Sequence, residues 1–365
     1  MDPNSIEAST DLVVSAGSLS EPVLTMSAHI TYLPQLLHIC NIVNVQRIQQ
    51  RDSNTMLPVT EALTDSLPTS RLGPTGRPLG ELREELYRIP NAANAAHVCG
   101  LWVQSVGVLA AAAWWGHPVG WVLAFFLMGR AFARFAILGH EAAHRLLFSN
   151  RKLNDWVGAW LVSYPAFVPI DAYRRGHMAH HKEEFGPNEP DVALYSGYPI
   201  SSASWNRKMR RDADGESGWK NLKGLMLALK SQGARPIALR ILTWQAVLFF
   251  GLWAALGHWW IYPVFWLLPW MTMWRVLNRL RAVAEHGGMI ASADRRLTTH
   301  HVRQSPTARF WMVPFNTGWH LAHHIDIGVP FSHLPKLQRE LEQAGYSAPE
   351  LEWPSYRALW RHARN

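Results

Sequence analysis

Cysteine is almost missing from this chain of 365 residues: Cys40 and Cys99 are the only two. They form no metal-spaced pair and no disulfide framework. Cys99 falls in an apolar stretch and reads as a buried free thiol. Any metal chemistry must therefore come without thiolate help. No basic start followed by an apolar core and a cleavage site opens the sequence, so a signal peptide is not expected. The last residues carry no lumenal retention signal. No basic patch interleaved with exposed aromatics stands alone, so nucleic acid is not expected as a partner despite the net charge of +8. The excess of Lys and Arg fits a cytoplasmic face meeting anionic lipid instead.

What is present is unevenly placed. The first ~90 residues are polar and show no sustained periodicity, with runs such as Ser66-Leu-Pro-Thr-Ser-Arg-Leu-Gly-Pro-Thr-Gly-Arg-Pro. They read as a flexible N-terminal arm, residues 1–90. Tyr32–Val45 is apolar but too short to span a bilayer. Beyond the arm, four segments can span: 95–115, 119–138, 241–256 and 262–277. The last two are short and are expected to extend at their ends. The 19 Trp residues suit rings placed at a water–lipid boundary.

The spans pair as two hairpins whose tips, Gly116-His117-Pro118 and Gly257-His258-Trp259-Trp260-Ile261, carry no Lys or Arg. Arg145, Arg151, Lys152, Arg235, Arg240, Arg279 and Arg281 lie near the opposite ends. The positive-inside rule puts that side in the cytoplasm. Arg130 and Arg134 interrupt the second apolar run, and arginine at mid-bilayer is costly. The simplest resolution is a helix that leaves the bilayer near Arg130. Leu153–Ile170 contains Asp155, Pro165 and Pro169 and reads as an interfacial or re-entrant segment.

Eighteen histidines are present, and eight of them fall in three clusters. These are His140-Glu-Ala-Ala-His144, His177-Met-Ala-His180-His181 and His320-Leu-Ala-His323-His324. An H-x3-H pair arises about once by chance at this histidine content, but two H-x2-H-H triples do not. All three clusters follow the second or fourth span, so topology brings them to one side of the membrane. His140 and His144 stand one helical turn apart on one face. Eight imidazoles exceed the needs of one ion and suit two. Imidazole serves iron, zinc and copper alike.

His286, on the same side in Ala284-Glu285-His286-Gly287-Gly288, is a ninth candidate ligand. Asn316 is a possible metal or water ligand. Glu141, Asp191, Glu285 and Asp326 are candidate acceptors that would fix imidazole tautomers. His117, His258, His300, His301 and His333 read as ordinary polar surface. Leu334–Ala344 reads as an amphipathic helix with Leu334, Leu337 and Leu341 on one face.

Over roughly residues 91–335 these features resemble the membrane fatty acid desaturase and hydroxylase superfamily. The resemblance rests on Gly139-His-Glu-Ala-Ala-His144, Arg175-Gly-His-Met-Ala-His-His181 and Asn316-Thr-Gly-Trp-His-Leu-Ala-His-His324. Glu189-Pro-Asp191 and Glu285-His286 add to it. It implies an all-α integral membrane protein, with four transmembrane helices as two hairpins and a cytoplasmic helical cap holding a histidine-rich di-iron site. It divides the chain into the arm, a desaturase-like domain at 91–335 and a cytoplasmic helical tail at 336–365.

The implied activity is dioxygen-dependent oxidation of a lipid acyl chain, with introduction of a C=C bond expected first. Hydroxylase or ketolase chemistry on lipids or carotenoids is the alternative. The implied cofactors are two iron ions (Fe2+/Fe3+), with O2 as co-substrate. The fused haem motif His-Pro-Gly-Gly of some relatives is missing, as are cysteine sets for an iron–sulfur cluster. A separate electron donor (ferredoxin, rubredoxin or b-type cytochrome) with its reductase is therefore expected, in a bacterial cytoplasmic membrane. His140-Glu141-x-x-His144 also fits a membrane zinc protease, in which the glutamate is general base. That reading leaves both triples unexplained. A metal transporter would want polar ligands inside the spans, and here the histidines lie beyond them.

Overall fold

The computed structural model describes residues 56–365 apart from 59 and 188. Cys40 and Tyr32–Val45 lie outside the described residues. Three helical stretches are long and apolar enough to cross a membrane: Gly80–Trp115, Pro118–Ala143 and Arg235–Leu256. In the first, α1 (Gly80–Leu86) is separated by Pro90 from the apolar α2 (Asn91–Trp115). The second is α3 (Pro118–Ala143).

The first hairpin tip closes by local chemistry. Gly116 takes a left-handed conformation that a side chain would resist, and its N–H bonds Ala112 O at 3.3 Å. His117 then caps α3 by accepting from Val119 N at 3.2 Å, and Pro118 sits where no donor is needed. Large apolar side chains face outward along α2 and α3, Val103 being 74% exposed, as expected for surfaces that meet lipid.

Outward apolar exposure on α3 ends at Phe126; from Met128 onward almost every residue is buried in protein. Two short helices follow, α4 (Arg151–Val157), which continues as a π-helical turn Gly158–Ser163, and α5 (Ile170–Lys182). Asn154, fully buried, ties the turn after α3 to α4. It accepts from Leu147 N and Phe148 N and donates to Ala142 O at 2.9 Å.

The segment 153–170 turns back through the protein. Its carbonyls at 164–166 are met by side chains of the second helical pair. Gln245 Nε2 donates to Tyr164 O at 2.7 Å, Trp266 Nε1 to Pro165 O and Trp270 Nε1 to Ala166 O. A non-helical backbone at this position needs such internal donors, because hydrocarbon supplies none.

Beyond α6 (Val192–Tyr195), α7 (Ser202–Ala213) and α8 (Glu216–Ala228) comes α9 (Arg235–Leu256), six residues longer at its start than the apolar stretch predicts. The expected fourth span is a broken rod. A π-helical turn Pro263–Leu267 leads into α10 (Leu268–Met271), Thr272 departs from helical geometry, and α11 (Met273–His286) carries on. Pro263 and Pro269 remove backbone donors, which is why the rod is not continuous.

After α11 come α12 (Pro306–Trp311), α13 (His320–Ile325), α14 (Leu334–Gln343) and α15 (Tyr356–Ala363). One departure from an all-α chain is a two-residue parallel pair, β1 (His301–Val302) with β2 (Glu352–Trp353). On α14, Leu334, Leu337 and Leu341 are buried on one face as their spacing predicts. This helix runs across the boundary expected at 335, and α15 packs back onto α11 through Trp360 Nε1 to Leu280 O at 2.9 Å.

Two expectations are corrected. From residue 56 to 90 the chain is laid on the body: Met56, Leu72, Leu82 and Leu86 are buried, and Arg71 makes a two-pronged pair with Glu340 at 2.8 Å. The apolar side chains are too sparse in that stretch to show a period, yet these four find sites, while Leu79 stays exposed. Cys99 is exposed on the outer face of α2, since an apolar helix meeting lipid does not need to turn its thiol inward.

Candidate metal centre

Four elements deliver the histidines to one place. The end of α3 supplies His140 and His144, α5 supplies His177, His180 and His181, the end of α11 supplies His286, and α13 supplies His320, His323 and His324. Helical spacing lets one short helix offer three imidazoles within about one turn. The nine rings gather in two sets. Ligating nitrogens of His140, His144, His177, His181 and His323 lie within 4.8 Å of one another, as do those of His180, His286 and His324. His320 joins the second set, its Nε2 lying 3.0 Å from both His286 Nε2 and His324 Nε2.

In the first set the Nε2 atoms form a chain: His140 to His323 at 3.1 Å, His323 to His181 at 3.1 Å, His181 to His177 at 3.0 Å and His177 to His144 at 2.9 Å. Hydrogen bonds cannot satisfy this chain. An imidazole Nε2 has either one hydrogen or one lone pair, and His177, His181 and His323 each have two such neighbours. Convergent lone pairs on a cation do satisfy it. Bonds of about 2.1 Å at right angles put neighbouring nitrogens about 3.0 Å apart. The residues present therefore fit metal ions.

Protonation agrees. Burial, reinforced by the neighbouring imidazoles, holds His177, His181, His320, His323 and His324 well below the usual histidine range. Burial brings His144 and His286 to about 3. These rings are neutral, the form that ligates. His180 differs: burial lowers it, but the hydrogen bond and charge of Glu189 outweigh this and raise it.

Three of the outward nitrogens find close acceptors, some of them unexpected. His180 Nδ1 bonds Glu189 Oε1, His324 Nδ1 bonds Glu184 Oε1 at 2.5 Å, and His286 Nδ1 donates to Thr298 O at 2.8 Å. Glu184 is held in turn by Arg295 at 2.5 Å, and Arg295 also donates to His181 O. Glu184 and the Thr298 carbonyl escape sequence reasoning because neither stands in a cluster. Glu189 could have been found beside Asp191 in the acidic-Pro-Asp stretch.

Of the expected acceptors, Glu285 lies 3.6 Å from His320 Nδ1, and Asp191 lines the cavity beside the rings. Glu141 and Asp326 are engaged elsewhere. Glu141 Oε1 accepts from Phe331 N at 3.1 Å, and Asp326 accepts from Tyr87 Oη at 2.7 Å and Gly328 N at 3.0 Å. At its position on α3, one residue past His140, Glu141 faces another side of the helix. Asn316 is drawn off too, accepting from Arg309 Nη2 at 3.0 Å.

His300 and His301, expected on the surface, are buried. His300 Nε2 donates to Gly287 O at 2.7 Å and its Nδ1 accepts from Trp353 Nε1, bracing the turn after His286. His301 stands between Glu352 and Glu342 at 3.5 and 3.8 Å. His117 and His258 are exposed, and His333 is half-buried, its Nδ1 donating to Leu86 O.

A cavity of about 130 Å³ opens against both sets of rings. Ile137, Leu194 and Thr317 line it beside the histidines, with Tyr173, Asp191, Arg281 and Glu285 on the polar side. The Tyr173 ring stacks on His177 with 5.4 Å between centroids. A substrate placed there would meet both candidate ions.

The family model for fatty acid desaturases matches residues 112–356. The chain is similar to dihydrorhizobitoxine desaturase of Bradyrhizobium elkanii, 26% identical over 260 residues, which make up 66% of this chain and 72% of that protein. It is 27% identical over 182 residues to the sn-1 oleoyl-lipid 12-desaturase of Anabaena variabilis, covering 45% of this chain and 49% of that one. It is 29% identical over 94 residues to the sn-1 acyl-lipid omega-3 desaturase (ferredoxin) of Synechocystis, covering 26% and 24%.

Proposed function

The chain belongs to the fatty acid desaturase family and is a membrane oxidoreductase, and from that premise we propose that it introduces a C=C bond into a lipid acyl chain at a di-iron centre. The observation that carries the reading is the convergence of nine buried imidazoles in two sets beside one cavity. His140, His144, His177, His181 and His323 would hold one iron. His180, His286, His320 and His324 would hold the other. Bound, reduced iron supplies dioxygen activation and the removal of hydrogen from unactivated C–H bonds. The balance is one dioxygen, two electrons and two protons from a donor, and two hydrogens from neighbouring methylenes, giving an alkene and two waters.

The chain's own residues prepare that chemistry. Glu184, Glu189 and the Thr298 carbonyl take the outward N–H of three rings, so the inward nitrogens present lone pairs. Tyr173 holds the plane of His177. Burial keeps the rings neutral and water scarce. We assign the broken rod 261–286 as the partner of α9, giving four spans in two hairpins, with the metal centre and residues 336–365 on the cytoplasmic side of a bacterial membrane.

The electron donor would be separate and acidic. Arg207, Lys208, Arg210 and Arg211 on α7 line one groove that suits it. The orientation of Glu141, away from the rings and onto Phe331 N, speaks against the protease reading, which needs that carboxylate at the metal.

The test is iron quantification together with mass spectrometry of host lipids with and without expression. About two irons per chain and a dioxygen-dependent new double bond are expected. If His180→Ala retained both irons and the product, the assignment would fail.

A further inference from the structure

Two arginines on α3 have no use in the chemistry above. Arg130 and Arg134 stand one turn apart, both only partly buried, just where outward apolar exposure on that helix stops. Among the described residues neither forms an ion pair with a carboxylate. Instead both guanidinium groups donate to one neutral oxygen, Gln104 Oε1. Arg130 adds Phe310 O at 2.7 Å and lies 3.9 Å over the Phe310 ring. Arg134 lies 5.2 Å from the Phe315 ring centre. Phe310 is itself exposed. Arg134 also donates to Gly100 O at 3.5 Å, so two like charges share only neutral oxygens beside lipid-facing surface and lack an anion. Cation–π contacts soften that lack but do not neutralise it.

The pair also stands at the head of a line of contacts leading to the histidines. From Arg130 onward, α3 runs alongside the segment 310–323. Arg130 meets Phe310, Arg134 meets Phe315, Ile137 and Thr317 share the cavity wall, and His140 meets His323. Positions 130, 134 and 137 fall on one face of the helix. By helical rise, His140 lies about 9 Å beyond Arg134 and about 15 Å beyond Arg130 along the axis.

We infer that Arg130 and Arg134 bind the anionic terminus of the acyl substrate, a carboxylate or a phosphate, and so set which methylenes reach the metal centre. This rests on the desaturase reading and adds the substrate's charge to it. The forked guanidinium geometry suits either oxyanion. The two are positioning residues, remote from the reacting carbons.

The experiment uses the full chain in lipid nanodiscs, with its electron donor. One acyl chain is presented as free fatty acid, as phosphatidylglycerol and as uncharged diacylglycerol. Wild type is compared with R130Q/R134Q and R130K/R134K, and lipid retained by each purified protein is weighed by native mass spectrometry. The glutamine pair should raise KM for one anionic form by about tenfold or more, with kcat nearly unchanged. It should leave the diacylglycerol unaffected and retain less anionic lipid, and the lysine pair should restore most of both. Whichever anionic form loses its advantage identifies carboxylate or phosphate.

Equal loss on all three forms, no loss on any, or displacement of the lipid by inorganic phosphate at comparable concentration would overturn the inference. If iron-loaded wild type made no double bond from any form, the desaturase reading would fall separately. The retention comparison would still decide the arginines.

Discussion

Glu184 and Glu189 set two imidazoles by accepting from their outer nitrogens, so they would act on a bound metal through its proposed ligands. Replacing Glu184 with Gln should weaken iron retention about 10- to 100-fold, read by chelator titration against iron content. Glu141→Gln makes the opposite prediction. Its carboxylate caps Phe331 N rather than a ring, so iron content and double-bond formation should survive. Loss of activity with iron intact would revive the protease role for that residue.

Away from the centre, burial raises Asp294, but the stronger combined effect of Arg296 and Tyr346 holds it below its ordinary 3.8. A depressed carboxyl stabilises the fold at pH above its unfolded value. That contribution is lost as pH falls through the lower folded value. Asp294→Asn should therefore cost stability near neutrality and flatten the acid limb below about pH 4. Thermal melting across that range checks it.

At the scale of elements, close approach keeps the first histidine cluster in place. A Cβ on Gly158 would stand 2.5 Å from Ala142 Cβ. Gly158→Val should push the π-helical turn off the end of α3, costing about 1–3 kcal/mol, and lower iron content with it. A melt paired with metal analysis reads both effects. On α14, Leu337 is fully buried at the middle of the apolar stripe. Leu337→Ala should cost about 2–5 kcal/mol while the folded fraction keeps its iron, because no ligand sits on that helix. The stripe was legible in the sequence because a helix with one buried face repeats at 3.6 residues. The interruption itself was legible in Pro263 and Pro269, but its place at Thr272 was not, since neither proline says at which residue the rod departs from helical geometry.

For the whole molecule, the proposed acidic donor, meeting a basic face, would make turnover sensitive to ionic strength. Raising salt from about 0.05 to 0.5 M should slow donor-supported turnover several-fold, and turnover driven by a small uncharged reductant much less. Stopped-flow reduction of the iron separates the two. The proposed side of the membrane follows from loop charge, and labelling of single cysteines placed at 117 and 303 in intact cells should tag only the first.

The sequence by itself determined that histidines recur at metal-ligand spacing, because residue type and i, i+3 and i, i+4 spacing are local properties of a helix. It also predicted that the clusters share one side, because the apolar runs that precede them fix how often the chain crosses. Tertiary structure alone decided that Glu184 and the Thr298 carbonyl hold rings, since both reach their partners through folding rather than helical repeat. The laying of residues 56–90 on the body also depended on partners more than two hundred residues away, as Arg71 with Glu340 and Tyr87 with Asp326 show. And only the fold gathered Arg130 and Arg134 around the neutral Gln104 Oε1 at the start of a line of contacts to the histidines, turning two costly charges in an apolar run into the proposed anion site.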